Sequence, residues 1–177
     1  MISREHWRSS TRRRATYSDC ERHRYSLEIQ WADIADDPGL ERLRRLACIG
    51  LNPSTATERA NDPTVARLEK WARENGYSSL VMLNAYAFRS TDRHAMLRSP
   101  DRRCEVADHV IRSEAILSKT VVACWSNDVE PSRLCELRNL LMGISLHCFH
   151  VNKSGSPAHP LYLPGPFKLH PYAIQGE

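Results

Sequence analysis

Two carboxamides, a histidine and a Ser/Thr pair stand where short apolar runs end. Asn52 follows the run L-A-C-I-G-L at 46–51, with Pro53, Ser54 and Thr55 behind it. Asn84 comes at the end of S-L-V-M-L-N-A at 79–85, Trp125-Ser126-Asn127 ends T-V-V-A-C-W, and Lys153 to His159 follows I-S-L-H-C-F-H-V. An Asn side chain has one acceptor and two donors, so it can read a Watson–Crick edge or place a water. A His can hydrogen-bond a carbonyl oxygen on which negative charge develops. The chain has no Walker A lysine loop, no G-x-G-x-x-G and no G-x-S-x-G. That disfavours P-loop hydrolysis, dinucleotide redox chemistry and a lipase-type triad. Six cysteines sit singly with no C-x-x-C pair, so neither a metal site nor a cofactor is expected.

The elements that must position these residues follow from periodicity. Residues 25–31 alternate apolar and polar and read as a half-buried strand. The apolar runs at 46–51, 79–85, 120–125 and 144–151 read as buried strands. Helices are expected at 63–75, 101–117 and 131–142. The first is capped by Asn61 or Asp62, opened by Pro63 and stopped by Gly76. Residues 85–100 read as a polar loop, 32–45 as a polar stretch with a D-D-P-G turn, and the chain from Asn152 shows no periodicity. The β-α-β-α-β-α-β pattern predicts a three-layer α/β/α sandwich around a central, mainly parallel four-stranded sheet. In such folds ligands bind at the carboxyl ends of the strands, where Asn52, Asn84, Ser126 and His159 fall.

Composition bounds the rest. The chain has 177 residues, 26% charged and 41% hydrophobic, which suits one globular domain. No apolar run approaches the length of a membrane span and the first 24 residues hold no apolar signal core, so a cytoplasmic protein without a membrane partner is expected. The net charge is +4, and Lys70, Lys119, Lys153 and Lys168 are the only lysines beside 21 arginines. Arg suits bidentate phosphate recognition, although a GC-rich genome gives the same bias. Residues 1–24, with seven Arg against three acids, read as an Arg-rich N-terminal arm or an edge element, leaving 25–177 as a single domain. The Arg12-Arg13-Arg14 run is more often solvated than DNA-bound.

The strand-end motifs resemble those of the uracil-DNA glycosylase superfamily, distantly. Ile49-Gly50-Leu51-Asn52-Pro53-Ser54 resembles its water-activating motif, most of all the G-I-N-P-G of the mismatch-specific branch. Leu80-Val81-Met82-Leu83-Asn84 resembles its L-L-L-N strand, whose Asn reads the flipped base. Val121 to Ser126 is similar to its strand ending in L-W-G, and Ala158-His159-Pro160-Leu161 resembles its H-P-S-P-L-S motif, which carries the catalytic His and the loop that wedges the duplex. All four stand in the superfamily's order between 46 and 163. The strings G-L-N-P-S-T-A, N-D-P-T and L-N-A-Y-A-F-R-S-T-D match more closely a bacterial and phage family labelled as a domain of unknown function.

The resemblance implies a glycosylase-like α/β domain and a monofunctional DNA N-glycosylase. Asn52 and His159 would be catalytic, with His150 as the rival histidine. Asn84 and Ser54 would bind the base, with Phe88 or Tyr86 stacking on it. Lys153, Ser154, Gly155, Ser156 and Arg89 would hold DNA, and Leu161 or Tyr162 would plug the gap left by the flipped base. Four departures bear on chemistry. Asn52 replaces the Asp of the efficient uracil enzymes and cannot accept a proton. Ser126 stands where the family has Gly, and Leu161 where H-P-S has its Ser. Ser54 replaces the Tyr that blocks the C5 face of uracil, which implies room for a C5-modified pyrimidine, with phage-type hypermodified cytosine a candidate. The product would be an abasic site in double- or single-stranded DNA, in repair or antiviral defence, made by a monomer.

Each residue also has a plainer reading. Asn52 can form an Asx-turn, Asn84 a strand-end turn, and His159 can be solvated surface. Trp31, Trp71 and Trp125 read as core. Two other functions stay open: a non-catalytic modified-DNA-binding module, and a hydrolase or transferase of free nucleotides.

Overall fold

The structure, a computed structural model, describes residues 1–31 and 44–175. Eight strands form one mixed sheet: β1 (Ile2–Arg8), β2 (Thr11–Tyr17), β3 (Arg24–Gln30), β4 (Arg45–Gly50), β5 (Ser79–Asn84), β6 (Thr120–Ala123), β7 (Leu146–Cys148) and β8 (His170–Tyr172), in the order β1-β2-β3-β5-β4-β6-β7-β8. The pairs β4–β5, β4–β6 and β6–β7 are parallel and the others antiparallel. The helices among the described residues are α1 (Pro63–Glu74), α2 (Arg93–Arg98), α3 (Glu105–Leu117) and α4 (Pro131–Leu140).

Strand alternation assigns the two faces. Leu46 and Cys48 of β4 join Leu80, Met82 and Val122 under Val65, Leu68, Trp71 and Ala72 of α1. Ala47 and Ile49 point the other way and join Val81, Leu83 and Val121 against Met96 of α2, Ile111 and Ala115 of α3, and Leu137 of α4. A strand covered on both faces carries a continuous apolar run rather than an alternating one, as β4 and β5 do. Helix α1 begins at Asp62, whose Oδ1 accepts from Val65 N at 2.8 Å, with Pro63 in the first turn.

The sheet is wider than the four strands expected. Residues 1–24, the expected Arg-rich arm or edge element, pair as the hairpin β1–β2 along β3, so the edge reading describes them. The Arg12-Arg13-Arg14 run alternates across that sheet. Arg14 reaches Glu28 at 2.8 Å on one face, while Arg13 Nε donates to Glu58 O at 3.1 Å on the other. Strand β3 is buried rather than half-buried, because β2 and β5 flank it and Glu28 is matched by Arg14 and Arg45.

Boundaries shift elsewhere. Residues 93–98 of the expected polar loop form α2, capped by Asp92 Oδ1, which accepts from His94 N at 2.8 Å. Helix α3 starts at Glu105, after a 3₁₀ turn at Pro100–Arg102, and α4 ends at Leu140. The strand expected at 144–151 shortens to β7, and the aperiodic C-terminal part supplies β8, an edge strand of three residues that tolerates Pro171. The D-D-P-G turn lies outside the described residues. No helix among the described residues is long and apolar enough to cross a membrane.

Candidate active site

Strand β4 has β5 on one side and β6 on the other. Its connection through α1 leads to β5, and the chain then crosses back to β6. Where adjacent connections diverge, the carboxyl ends of the strands leave a crevice. A cavity of about 330 Å³ lies there. Its walls are Gly50, Leu51, Asn52 and Ser54 beyond β4, Asn84 at the end of β5, Trp125 and Ser126 beyond β6, and His159, Leu161 and Tyr162 from the 3₁₀ turn that follows β7.

Asn52 makes no Asx-turn hydrogen bond among the described residues. Its Nδ2 donates to Pro53 O at 3.0 Å and to Ser90 O at 2.8 Å. Both partners are carbonyls, so the amide orientation is determined. Oδ1 has no protein partner among the described residues and is left as an acceptor for water or ligand.

Asn84 is held from behind by Arg24, a residue the sequence pattern does not mark. Arg24 is 3% exposed and also lines the cavity. Its Nη1 donates to Ala56 O at 2.7 Å and its Nη2 to Asn84 Oδ1 at 3.2 Å. A guanidinium only donates, so the amide oxygen must face it and Nδ2 must face away. Nδ2 lies over Gly50, where a Cβ would come within 3.0 Å of it. Gly50 is thus a close-approach glycine. No carboxylate pairs with Arg24 among the described residues, and burial pushes its pKa down to about 10, against the raising influence of Tyr17 and Asp62. Tyr17 itself is pushed up to about 12 by burial and by its 2.9 Å hydrogen bond to Glu58.

His159 precedes the 3₁₀ turn Pro160–Tyr162 and its Nδ1 accepts from Leu161 N at 3.3 Å. That bond places the ring proton on Nε2. Burial lowers the imidazole pKa from its ordinary value, and the charge of Asp62 opposes the shift. The neutral Nε2–H tautomer is therefore the form present at neutral pH. Arg67 of α1 clamps the turn: Nη1 donates to Leu161 O at 2.9 Å and Nη2 to Leu163 O at 2.5 Å, with the guanidinium 5.2 Å from the Phe167 ring centre. Tyr162 stands 82% exposed at the mouth, its ring 5.3 Å from that of His159.

Two carboxylates line the same cavity. Asp128 pairs with Arg93 at 3.1 Å. Asp62, legible in the sequence as a helix cap, also faces the cavity. Ser126 has φ +67°, the left-handed region that suits glycine. Its N–H donates to Pro157 O at 3.0 Å and ties the strand end to the loop carrying His159.

Other expected site residues fall elsewhere. Tyr86 is fully buried, with its hydroxyl donating to Glu130 Oε2 at 3.2 Å and accepting from Glu130 N at 3.1 Å; it does not reach the cavity. Phe88 and Arg89 line a neighbouring open groove that shares Ser54, Ser90 and Thr91 with the cavity. Arg89 Nη1 donates to Glu21 O at 3.2 Å. Lys153, Ser154, Gly155 and Ser156 form a turn outside the cavity. There Ser154 Oγ donates to Asn127 Oδ1 at 2.8 Å, and Gly155, at φ +83°, packs against Gln175 where a Cβ would collide. His150 is exposed and not among the lining residues, so His159 is the histidine of the cavity. Trp125 is core, as expected, with one side on the cavity.

A family model described as "Protein of unknown function (DUF1643)" matches residues 24–161, from Arg24 to Leu161. No curated protein and no solved structure matches the chain.

Proposed function

The chain belongs to the DUF1643 family, and we propose that it is a monofunctional DNA N-glycosylase acting on a flipped pyrimidine substituted at C5. The reading rests on one observation above others: Asn52, Asn84 and His159 come from three separate strand-end segments and meet on one cavity. At about 330 Å³ that cavity is at the small end of ligand sites, suited to a base rather than a dinucleotide. The fold is then a three-layer sandwich of uracil-DNA glycosylase type.

Each group has a defined task in that reaction. The base leaves the stack and enters the cavity. Nδ2 of Asn84 donates to an acceptor on its edge. Asn52 Oδ1 holds a water below C1′. The glycosidic bond breaks with its electron pair moving to the base, and the sugar becomes oxocarbenium-like. Neutral His159 donates from Nε2 to the carbonyl oxygen on which the base carries its charge, as a preorganised donor. Buried Arg24, without a carboxylate partner among the described residues, adds positive potential behind Asn84 and so favours an anionic leaving base. Tyr162, with Leu161 beside it, fills the gap in the stack.

The C5 substituent follows from Ser54. It lines both the cavity and the adjoining groove with Phe88 and Arg89, so a group on C5 passes from one into the other. Hypermodified cytosine of the phage type fits that path. The enzyme acts as a cytoplasmic monomer, in repair or against modified phage DNA.

The test is abasic-site formation on end-labelled DNA, read by alkaline cleavage. The panel holds uracil, mismatched thymine, 5-hydroxymethylcytosine and glucosylated 5-hydroxymethylcytosine. Cleavage of one substrate, abolished by Asn52→Ala and His159→Ala, supports the reading; no cleavage of any overturns it. The absence of an acid at position 52 favours a second reading, a module that binds a modified base without cutting. It requires Asn52→Ala to leave affinity for that base unchanged.

A further inference from the structure

The reaction releases a proton from water, and nothing in the strand-end motif can take it. The amide of Asn52 is not a base, and its two hydrogens are already given to Pro53 O and Ser90 O. His159 Nδ1 is occupied by Leu161 N and its Nε2 carries a proton, so it is a donor to the cavity. A proton acceptor must therefore come from another wall.

Two acids line the cavity. Asp128 is held in an ion pair with Arg93, its Oδ2 accepting from Arg93 Nη1 at 3.1 Å. Asp62 is not in an ion pair among the described residues. Its Oδ1 accepts from Val65 N and is fixed by that bond, while Oδ2 has no protein partner among the described residues. The side chain is half-buried and faces the same space as Asn52, Ser54 and His159. Its charge is felt by His159 and by Arg24, on the turn and on the floor. The charged groups around it are thus Arg24 from β3, His159 from the 3₁₀ turn, and the Arg93–Asp128 pair.

We propose that Asp62 is the proton acceptor for the attacking water, a carboxylate supplied from the cap of α1 rather than from the strand-end motif. The inference rests on the glycosylase reading. Asn52 Oδ1 accepts one hydrogen of the water and so fixes it. Asp62 Oδ2 takes the other proton as the water oxygen bonds to C1′. The C1′–N bond breaks with its electron pair going to the base nitrogen. The proton then passes from Asp62 to the base anion or to solvent, so that one water is consumed and a neutral base and an abasic sugar are released. The cap bond from Val65 N holds the carboxylate in place without neutralising it.

The experiment uses the full chain and whichever oligonucleotide of the panel the wild type cuts. Asp62→Asn is isosteric and still caps a helix, so the fold is retained. Its single-turnover rate is expected to fall at least a hundredfold, as for loss of a general base. Affinity for the uncleavable 2′-fluoro form of the same oligonucleotide should stay within threefold. Asp62→Ser, which also caps, should lose as much rate. Asn52→Asp added to Asp62→Asn restores an acid beside the water and should recover at least tenfold. Rates within threefold of wild type in either single variant overturn the assignment, and so does a double variant with no recovery. A wild type that cuts none of the panel overturns the glycosylase reading itself, and this inference with it.

Discussion

Arg24 Nη2 meets Asn84 Oδ1 at 3.2 Å, and this bond decides which atoms of Asn84 the cavity sees. The oxygen turns to the guanidinium, and the NH₂ lies over Gly50 on the cavity wall. Arg24→Lys keeps a positive charge but gives up the fork that reaches Ala56 O and Asn84 Oδ1 together. Single-turnover cleavage by Arg24→Lys should fall tenfold or more, about 1.4 kcal/mol of barrier, with an unchanged far-UV spectrum. A rate equal to wild type would mean that Asn84 is oriented without Arg24.

A second prediction concerns His159. Burial holds its pKa below the ordinary value, so the folded state binds fewer protons than the unfolded chain once the pH falls beneath about 6.5. The stability attached to neutral His159 is complete above that pH and is lost as the pH falls toward the folded value. Activity has the same sign, because protonation takes away the Nδ1 acceptor that holds the turn. His159→Gln should flatten the fall in Tm between pH 6.5 and pH 5 relative to wild type. It should also cost about 2.7–4 kcal/mol of barrier, the size of one lost preorganised donor. An identical Tm profile in the variant would remove His159 from the acid response.

Much of this site is legible in the sequence, and the part that is not has a physical reason. Asn52 and Asn84 announce themselves because each ends an apolar run, and His159 because it follows one in the A-H-P-L string; strand ends of α/β sheets are where ligands bind. Arg24 does not, because its role depends on β3 pairing antiparallel with β5, which joins Leu27 to Met82 and Gln30 to Ser79 across a long stretch of sequence. Asp62 is visible only as a cap, since local pattern says what a residue does for its own helix and not what lies across a cavity. Tyr86 misleads for the converse reason. It follows Asn84 closely in sequence, yet its hydroxyl is taken by Glu130 inside the core. The β1–β2 hairpin hides behind its arginines, whose charges are met by Glu28 and Glu69 only after folding.

Ser126 offers a test of strain rather than chemistry. A left-handed backbone costs an L residue roughly 1–2 kcal/mol, of which glycine's greater unfolded freedom returns about half. Ser126→Gly should therefore raise stability by about 0.5–1 kcal/mol, or about 2 °C in Tm for a chain of this size. The measurement is a thermal melt beside wild type. A lower Tm would show that the Ser126 hydroxyl contributes more than the strain removes.

The last prediction separates the turn that carries Tyr162 from the pocket behind it. Arg67 binds the carbonyls of Leu161 and Leu163 and stacks over Phe167, so it fixes the angle at which Tyr162 leaves the surface. It is not among the residues lining the cavity. Under the proposed glycosylase function Tyr162 is a wedge, which matters only when there is a stack to fill, so its loss should weigh on duplex substrates. Arg67→Ala should lower kcat/KM on duplex DNA about tenfold or more, while cleavage of the same modified base in single-stranded DNA changes less than threefold. The comparison needs matched duplex and single-stranded oligonucleotides under identical salt, since phosphate contacts are salt-dependent in both. Equal losses on the two forms would assign Arg67 to positioning His159 instead, because His159 and Tyr162 share one short turn and only the histidine is needed equally by both substrates.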